Sequence, residues 1–434
     1  MPAAPAPAPS RGLREATVAL RYRDFRRFWF AALASNTGSW MQSAAIPYVA
    51  FRLTGRDGGV GVTGFFQYVP LLLMSALGGA LADRLDRRRV LVATQVVQAA
   101  FAVLLWLLVA ADAVTPARLS ALAFLSGLAG GLNVPVWQSF VSQLVPRDAL
   151  GNAITLNSTQ FNAARALGTF GAGIVIALWG VDMAFLLNAA SFGAVLVVLP
   201  FIGSRGAPVR EGPPTRVLAD LRAGVRYVAA TPGIVACCLA IVAIAGLCSP
   251  LFSFLTASYG QEIFRVEGWQ LGLLWGAGGI GAVAAAPLLL TVGARAARHH
   301  LLVAAMSTYA LATVGVGLAP SMWFAVPALV AYGGAYLAIA SALNTTIQLL
   351  AREDMRGKSI AVYIMCLTGS LPLGLLVWGA AADRVGIRSV TVAAGVLLGV
   401  VTLVLARAGR VAAMAAADAV ASPGAHHSGS SSSR

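Results

Sequence analysis

Charge is the scarcest property of this chain. Only 11% of its 434 residues are charged, against about 25% in an average soluble domain. Mean hydropathy is +0.78 and 58% of the residues are hydrophobic, which excludes a water-soluble globule with a polar shell. Lysine is reduced to one residue, Lys358, among 31 basic side chains. Cysteine is equally sparse. Cys237, Cys238, Cys248 and Cys366 all fall inside apolar runs and match no metal-ligand spacing; they read as small apolar fillers, with no metal site. Carboxylates are missing from the depths of the apolar runs, since Asp83, Asp112, Asp182 and Glu262 all stand near run ends. No His, Ser or Cys cluster with workable partners occurs, so neither an enzyme nor a cofactor is expected.

What the chain does have is long apolar runs. They cover 28–53, 61–82, 89–111, 117–144, 150–179 and 182–202, then 233–259, 268–292, 300–319, 322–350, 358–382 and 386–408. Each reaches the roughly 20 residues that cross a bilayer as a helix. The count predicts an all-α membrane protein with twelve transmembrane helices, surrounded by the lipid bilayer. A net charge of +15 invites a nucleic-acid partner, but the distribution excludes one. About 24 basic residues fall in alternate loops and the two tails, about six in the other loops, and Arg165 lies inside a run. This positive-inside asymmetry predicts a multi-pass protein of the cytoplasmic (inner) cell membrane with both termini in the cytoplasm. The opening Pro-Ala run and the long first apolar run read as a chain without a cleavable signal peptide.

The runs divide six and six. Residues 1–26 form a cytoplasmic tail, 27–203 a first six-helix bundle, 204–231 a basic linker, 232–408 a second bundle, and 409–434 a disordered Ala/Ser-rich tail. Within the linker, Val217, Leu218, Leu221, Val225 and Val228 recur at helical spacing, predicting an amphipathic surface helix. The halves echo each other: Gln143-Leu-Val-Pro-Arg147-Asp148 returns as Gln348-Leu-Leu-Ala-Arg352-Glu353. The stretch Gly79-Ala-Leu-Ala-Asp83-Arg84-Leu-Asp-Arg87-Arg88-Arg89 returns as Gly379-Ala-Ala-Ala-Asp383-Arg384, but at the opposite end of a span. Parallel repeats with an inverted echo are the internal symmetry of alternating-access carriers.

Gly79–Arg89 resembles the signature loop between the second and third helices of the major facilitator superfamily, with Asp86 where a second glycine is usual. The resemblance implies two pseudo-symmetric six-helix halves and conformational roles for Asp83, Arg84 and Arg87. Arg165-Ala-Leu-Gly168-Thr169-Phe-Gly171-Ala-Gly173 is similar to the fifth-span motif of proton-coupled exporters in that superfamily. Thr169 replaces its proline and Ala172 one glycine. By that likeness Gly168 and Gly171 are gating residues. Arg21-Tyr-Arg-Asp24-Phe-Arg26, Ser35-Asn36-x-Gly38-x-Trp40-Met41-Gln42, Asn152-Ala-Ile-x-Leu-Asn157 and Gly224-Val-Arg-Tyr227-x-x-x-Thr231-Pro232 resemble the branch holding enterobactin-type siderophore exporters and macrolide efflux proteins.

Several apparent motifs carry no chemistry here. Arg356-Gly357-Lys358-Ser359 lacks the upstream glycine of a phosphate loop, since Arg352 stands there, and no strand precedes it. Gly276-x-Gly278-x-x-Gly281 lies inside a run, where small residues serve close helix packing. His299-His300 reads as solvated surface, and the glycosylation triplet at Asn157 is buried in the fifth span.

A polar stripe remains. Thr155, Ser158, Asn162, Arg165 and Thr169 follow at steps of three and four, so one face of the fifth span carries them. Arg165 either locks helices through backbone carbonyls or meets an anionic, acceptor-rich ligand. The spans that border the cavity in the superfamily add Asn36, Trp40, Ser43 and Tyr48 (first), Asn133 and Trp137 (fourth), Phe252 (seventh), and Tyr332, Tyr336 and Asn344 (tenth). The substrate-binding candidates are therefore Asn36, Trp40, Asn133, Trp137, Ser158, Asn162, Arg165, Tyr332 and Tyr336. The expected activity is secondary active export of a small amphipathic molecule (drug, siderophore or secondary metabolite) by a monomer, with the proton as coupling ion. An uptake carrier or facilitator of the same fold, or a non-transporting receptor or scaffold, are the alternatives.

Overall fold

Every apolar run becomes a helix in the computed structural model, which describes residues 17–82, 86–203, 217–291 and 297–407. The expectations for Asp83, Arg84 and the C-terminal tail lie outside the described residues. The first half comprises α1 (Arg23–Thr54), α2 (Asp57–Ala82), α3 (Arg87–Ala110), α4 (Pro116–Val141), α5 (Leu150–Trp179) and α6 (Val181–Val198). The second comprises α7 (Pro232–Ile263, interrupted), α8 (Gly268–Thr291), α9 (Arg298–Leu318), α10 (Met322–Leu350), α11 (Arg356–Val385) and α12 (Ile387–Arg407). Among the described residues, ten are long and apolar enough by themselves to cross a membrane. α1 falls short because its middle is polar, and that polarity is consumed inside the bundle. Asn188 Nδ2 donates to Gln42 Oε1 at 2.8 Å, Asn36 Nδ2 to Gln160 Oε1 at 3.3 Å, and Ser35 Oγ to Gln95 Oε1 at 3.5 Å. Helices in lipid are held together by such bonds and by close backbone approach rather than by hydrophobic burial.

The helix ends define two rims. One, the linker end, carries the starts of α1, α7 and α11 and the linker helix Val217–Ala229. At the other, the far end, four of the six turns contain a glycine with positive φ: Gly55, Gly180, Gly268 and Gly386. Gly180 alone joins α5 to α6 at φ 93°, where any side chain would be strained. Trp179, Trp269 and Trp323 are exposed around the far end, as aromatic residues are at a membrane interface. At the linker end, Asp86 explains its own presence in the signature loop. Its carboxylate accepts from Arg88 N (2.9 Å) and Arg89 N (3.2 Å), capping α3.

The predicted amphipathic helix is present and docks on α11. Lys358 Nζ lies 2.8 Å from Asp220 Oδ1, and the Tyr227 hydroxyl accepts from Arg352 N at 3.0 Å. Helix α7 differs from the expected single span. Two π-helical turns, Ile244–Cys248 and Tyr259–Ile263, flank short α segments with Pro250 between them. Broken backbone at membrane depth survives where protein or cavity polar groups satisfy it. Here Trp378 Nε1 of α11 donates to the Gly246 carbonyl at 2.9 Å, and Thr256 Oγ1 donates to Leu251 O and Phe252 O at 3.0 Å.

The halves meet along α2 with α11 and α5 with α8. The contacts are tight toward the far end, where a methyl on Gly61 would overlap Leu375 O and one on Gly173 would overlap Gly272 N. Gln261 of α7 also reaches Tyr48 O of α1 at 3.4 Å there. Gly281 and Gly333 bring α8 and α10 into similar backbone contact, so the Gly-x-Gly-x-x-Gly stretch is a packing device.

Candidate functional site

A cavity of about 430 Å³ opens between the halves, within the range of small-molecule pockets. Its walls come from α1, α2, α5, α7, α8, α10 and α11. Seven aromatic side chains line it: Trp40, Tyr68, Phe252, Phe254, Trp275, Tyr332 and Tyr336. Hydroxyls of Ser43, Thr169, Ser249, Ser253, Thr256 and Thr368 are spaced among them. Among the described residues, the lining contains one formal charge, Arg165, and no carboxylate.

The sequence builds this arrangement locally. Arg165 lies 15 residues into the 30-residue α5, about 22 Å along its axis at 1.5 Å per residue and hence near mid-membrane. Gly168, one turn on, has no room for a side chain: a methyl there would sit 2.8 Å from Trp40 Cβ and overlap Thr37 O. α1 therefore presses against α5 and lays the Trp40 indole beside Arg165, whose guanidinium carbon is 5.8 Å from the ring centroid. A cation–π contact of this kind is worth about 0.5–2 kcal/mol. It orients the guanidinium but satisfies none of its donors. The Arg165 carbonyl accepts from Thr169 Oγ1 at 2.8 Å, but its guanidinium makes no hydrogen bond or ion pair among the described residues. Opposite, Tyr332 packs on Phe252 (4.1 Å between centroids) and stacks on Tyr309 (4.3 Å), whose hydroxyl meets Ser249 Oγ at 3.2 Å. That cluster, which Tyr336 joins at 6.3 Å from Tyr309, forms one aromatic wall of the cavity.

Of the nine substrate-binding candidates, the structure brings Trp40, Arg165, Tyr332 and Tyr336 into the cavity. Ser158 and Asn162 are exposed on the same stripe of α5, two turns and one turn from Arg165 toward the linker end. The Asn162 amide donates to Ser158 O at 2.9 Å. Three candidates lie elsewhere. Asn36 is bonded to Gln160, Asn133 Oδ1 accepts from Thr94 Oγ1 at 2.9 Å, and Trp137 is buried against Phe28 with its indole N–H on Asn157 Oδ1 at 3.4 Å. These are contacts inside the first half, on polar partners that no single-helix pattern reveals. The gating candidates also separate. Gly168 is a tight crossing, whereas a methyl at Gly171 would meet only Met41 Cε at 3.6 Å. Arg87 is buried at the start of α3 with its Nε unpartnered. Tyr68, Trp275 and the hydroxyls of α7 were not singled out from the sequence; the signal for the last was the helix-breaking Gly246, Pro250 and serine cluster.

An aromatic, singly cationic cavity at the seam of two six-helix halves is the architecture of a major facilitator transporter. Solved transporters share the fold. A bacterial homologue of the human lysosomal transporter Spinster, inward-facing and unoccupied, superposes with a TM-score of 0.68 at 16% identity, covering 92% of this chain and 98% of that one. A peptide transporter POT in complex with sulfate gives 0.71 at 14% identity over 93% and 99%. The chain belongs to the transmembrane secretion effector family, whose model matches residues 15–429. The multidrug efflux pump Tap of Mycolicibacterium fortuitum is 26% identical over 388 residues, 87% of this chain and 94% of that protein. A staphyloferrin A transporter of Staphylococcus aureus is 27% identical over 177 residues, covering 40% of this chain and 44% of its own. The protein is thus a multi-pass membrane transporter of small molecules, not an enzyme.

Proposed function

We propose that this transporter exports an amphipathic small molecule bearing an anionic or acceptor-rich group, by alternating access coupled to the proton gradient. The observation that carries the reading is Arg165: a guanidinium with free donors in an aromatic cavity shared by both halves. Aromatic faces take an apolar body, and a charge-assisted fork takes a carboxylate, phenolate or clustered oxygens. The likeness to an efflux pump over most of both chains supports the export direction. The Na(+), Li(+), K(+)/H(+) antiporter of Planococcus maritimus, 30% identical over 169 residues and 38% of each chain, supports proton exchange. A lone arginine speaks against an inorganic cation as the cargo here.

The excess of basic residues in the loops and tails of the linker end supports a cytoplasmic position for that end and both termini. The far end is then external, and the tight α2–α11 and α5–α8 contacts correspond to a carrier closed to the outside. Transport into inside-out vesicles tests the function. Uptake of an anionic amphipath should require an outwardly directed proton gradient (acid inside the vesicle) and collapse when the gradient is dissipated. Uptake that is indifferent to the gradient would remove proton coupling; absence of uptake with right-side-out accumulation instead would reverse the direction.

A further inference from the structure

Asp57 opens α2 at the far end, where α2 packs on α11 and residues near the end of α7 act on its carboxyl. It is 5% exposed, and its Oδ1 has no hydrogen-bond partner. The charged groups around it do not relieve that. On α11, Asp383 accepts from Gly58 N at 2.9 Å and pairs with Arg56 at 3.2 Å, so the local arginine and the free helix N–H both serve Asp383. From α7, Glu262 acts on Asp57 as a further negative charge, and Asp57 in turn acts on Tyr259. Arg388 of α12 acts on Tyr259 rather than on Asp57. Ser258, also on α7, is fully buried and is the hydroxyl that acts on Asp57 as a hydrogen-bonding neighbour, though short of full hydrogen-bond geometry. A methyl on Gly379 of α11 would stand 2.9 Å from the Asp57 backbone carbonyl, so the two helix backbones are close-packed where α2 begins.

A carboxylate enclosed by two other acids, its cation taken by one of them, is costly to bury; a neutral carboxyl is not. We propose that Asp57 is the proton-binding group of the far-end closure: α2, α11 and α7 come together over it when it carries a proton. The proton comes from the external solution while the far end is open, sits on a carboxylate oxygen beside Ser258 Oγ, and returns to that solution on opening. Acid outside then speeds the return of the empty carrier to its closed, cytoplasm-facing form. This assignment rests on the alternating-access reading above and on the far end being external.

The test uses the full chain in lipid nanodiscs, with Cys237, Cys238, Cys248 and Cys366 replaced by alanine. Spin labels at Leu53→Cys and Val385→Cys report the far end by pulsed electron resonance, and labels at Ile154→Cys and Ile364→Cys report the linker end. On acidification the closed-to-open ratio at the far end should rise, by at most about tenfold per pH unit for one proton. Asp57→Asn should be closed at every pH, and Asp57→Glu should restore the response. An Asp57→Asn protein with the parent's pH response would overturn the proposal. So would a response abolished by Glu262→Gln or Asp383→Asn while Asp57→Asn leaves it intact. If the two label pairs never move in opposite senses under any condition, alternating access fails and Asp57 falls with it. Opposed movement without pH dependence removes Asp57 alone.

Discussion

Replacing Gly173 by alanine puts a methyl where α8 has no room. The new carbon would lie 2.6 Å from Gly272 Cα and 2.7 Å from Gly268 O, and would overlap Gly272 N. Carbon contacts are comfortable at about 3.5–4.0 Å, so α5 and α8 must part by about 1 Å. The obstructing atoms are backbone, and no side chain can turn aside. Overpacking of this kind costs about 1–3 kcal/mol. Because the clash exists only when the far end is shut, it becomes a shift of about 5–150-fold toward the open form. The readout is an impermeant thiol reagent applied to intact cells carrying Thr368→Cys, a cavity position, in a cysteine-free background. Labelling should accelerate in Gly173→Ala. Gly171→Ala is the control: its nearest neighbour is 3.6 Å away, and any gain in helix propensity is common to both. If Gly171→Ala opens the cavity as much as Gly173→Ala does, the close-packed α5–α8 seam is not what shuts the far end.

Two other outcomes follow from single contacts. Asp383→Ala removes the N-terminal cap of α2 and should lower stability by about 0.5–2 kcal/mol. Arg56→Ala should lower it by less, since Arg56 is 71% exposed in the pair; thermal unfolding in detergent ranks the two, and equal losses would show that the cap contributes nothing. Trp378→Phe leaves the Gly246 carbonyl of the α7 break without its donor, which should cost about 1–3 kcal/mol. An unchanged melting temperature would mean that the π-turn is satisfied without Trp378.

Much of the fold could be read directly because lipid imposes a simple rule: apolar runs of sufficient length become helices. The linker helix was readable from its periodicity for a similar reason. Arg165 stood out because a cation inside an apolar run has no bland neighbours to hide among, and the tenth-span tyrosines followed from the superfamily likeness. What resisted reading was pairing. Asn36, Asn133 and Trp137 look like ligand-binding side chains on their own helices, and their partners Gln160, Thr94 and Asn157 lie on other helices. Asp57 escaped notice because the second span was expected to begin at 61, which left it in a loop. The helix begins at Asp57 because Asp383, 325 residues away from Gly58, supplies the cap that draws the start outward. The interruption of α7 was equally hidden, since its stabilising donor comes from α11. Span positions are local properties of the chain; caps, breaks and buried pairs are not.

The inverted echo of the signature loop acquires a physical meaning from the same contact. Asp383 ends the repeated Gly379-x-x-x-Asp383-Arg384 stretch and caps a helix of the opposite half at the far end. An acid that bridges halves by engaging a helix N-terminus uses the macrodipole at short range.

The central claim is that Arg165 recognises the cargo, and one comparison tests it most directly: transport of an anionic amphipath and its neutral analogue by Arg165→Lys and Arg165→Gln, alongside yield and melting temperature. Arg165→Lys keeps the charge without the planar fork and should weaken the anionic ligand while retaining some transport. Arg165→Gln should lose the anion selectively, by roughly tenfold or more for the loss of charge-assisted bonds worth about 1.5–3 kcal/mol, with the neutral analogue little affected. A fall in stability with the ratio of the two substrates unchanged would make Arg165 a structural residue and contradict the account.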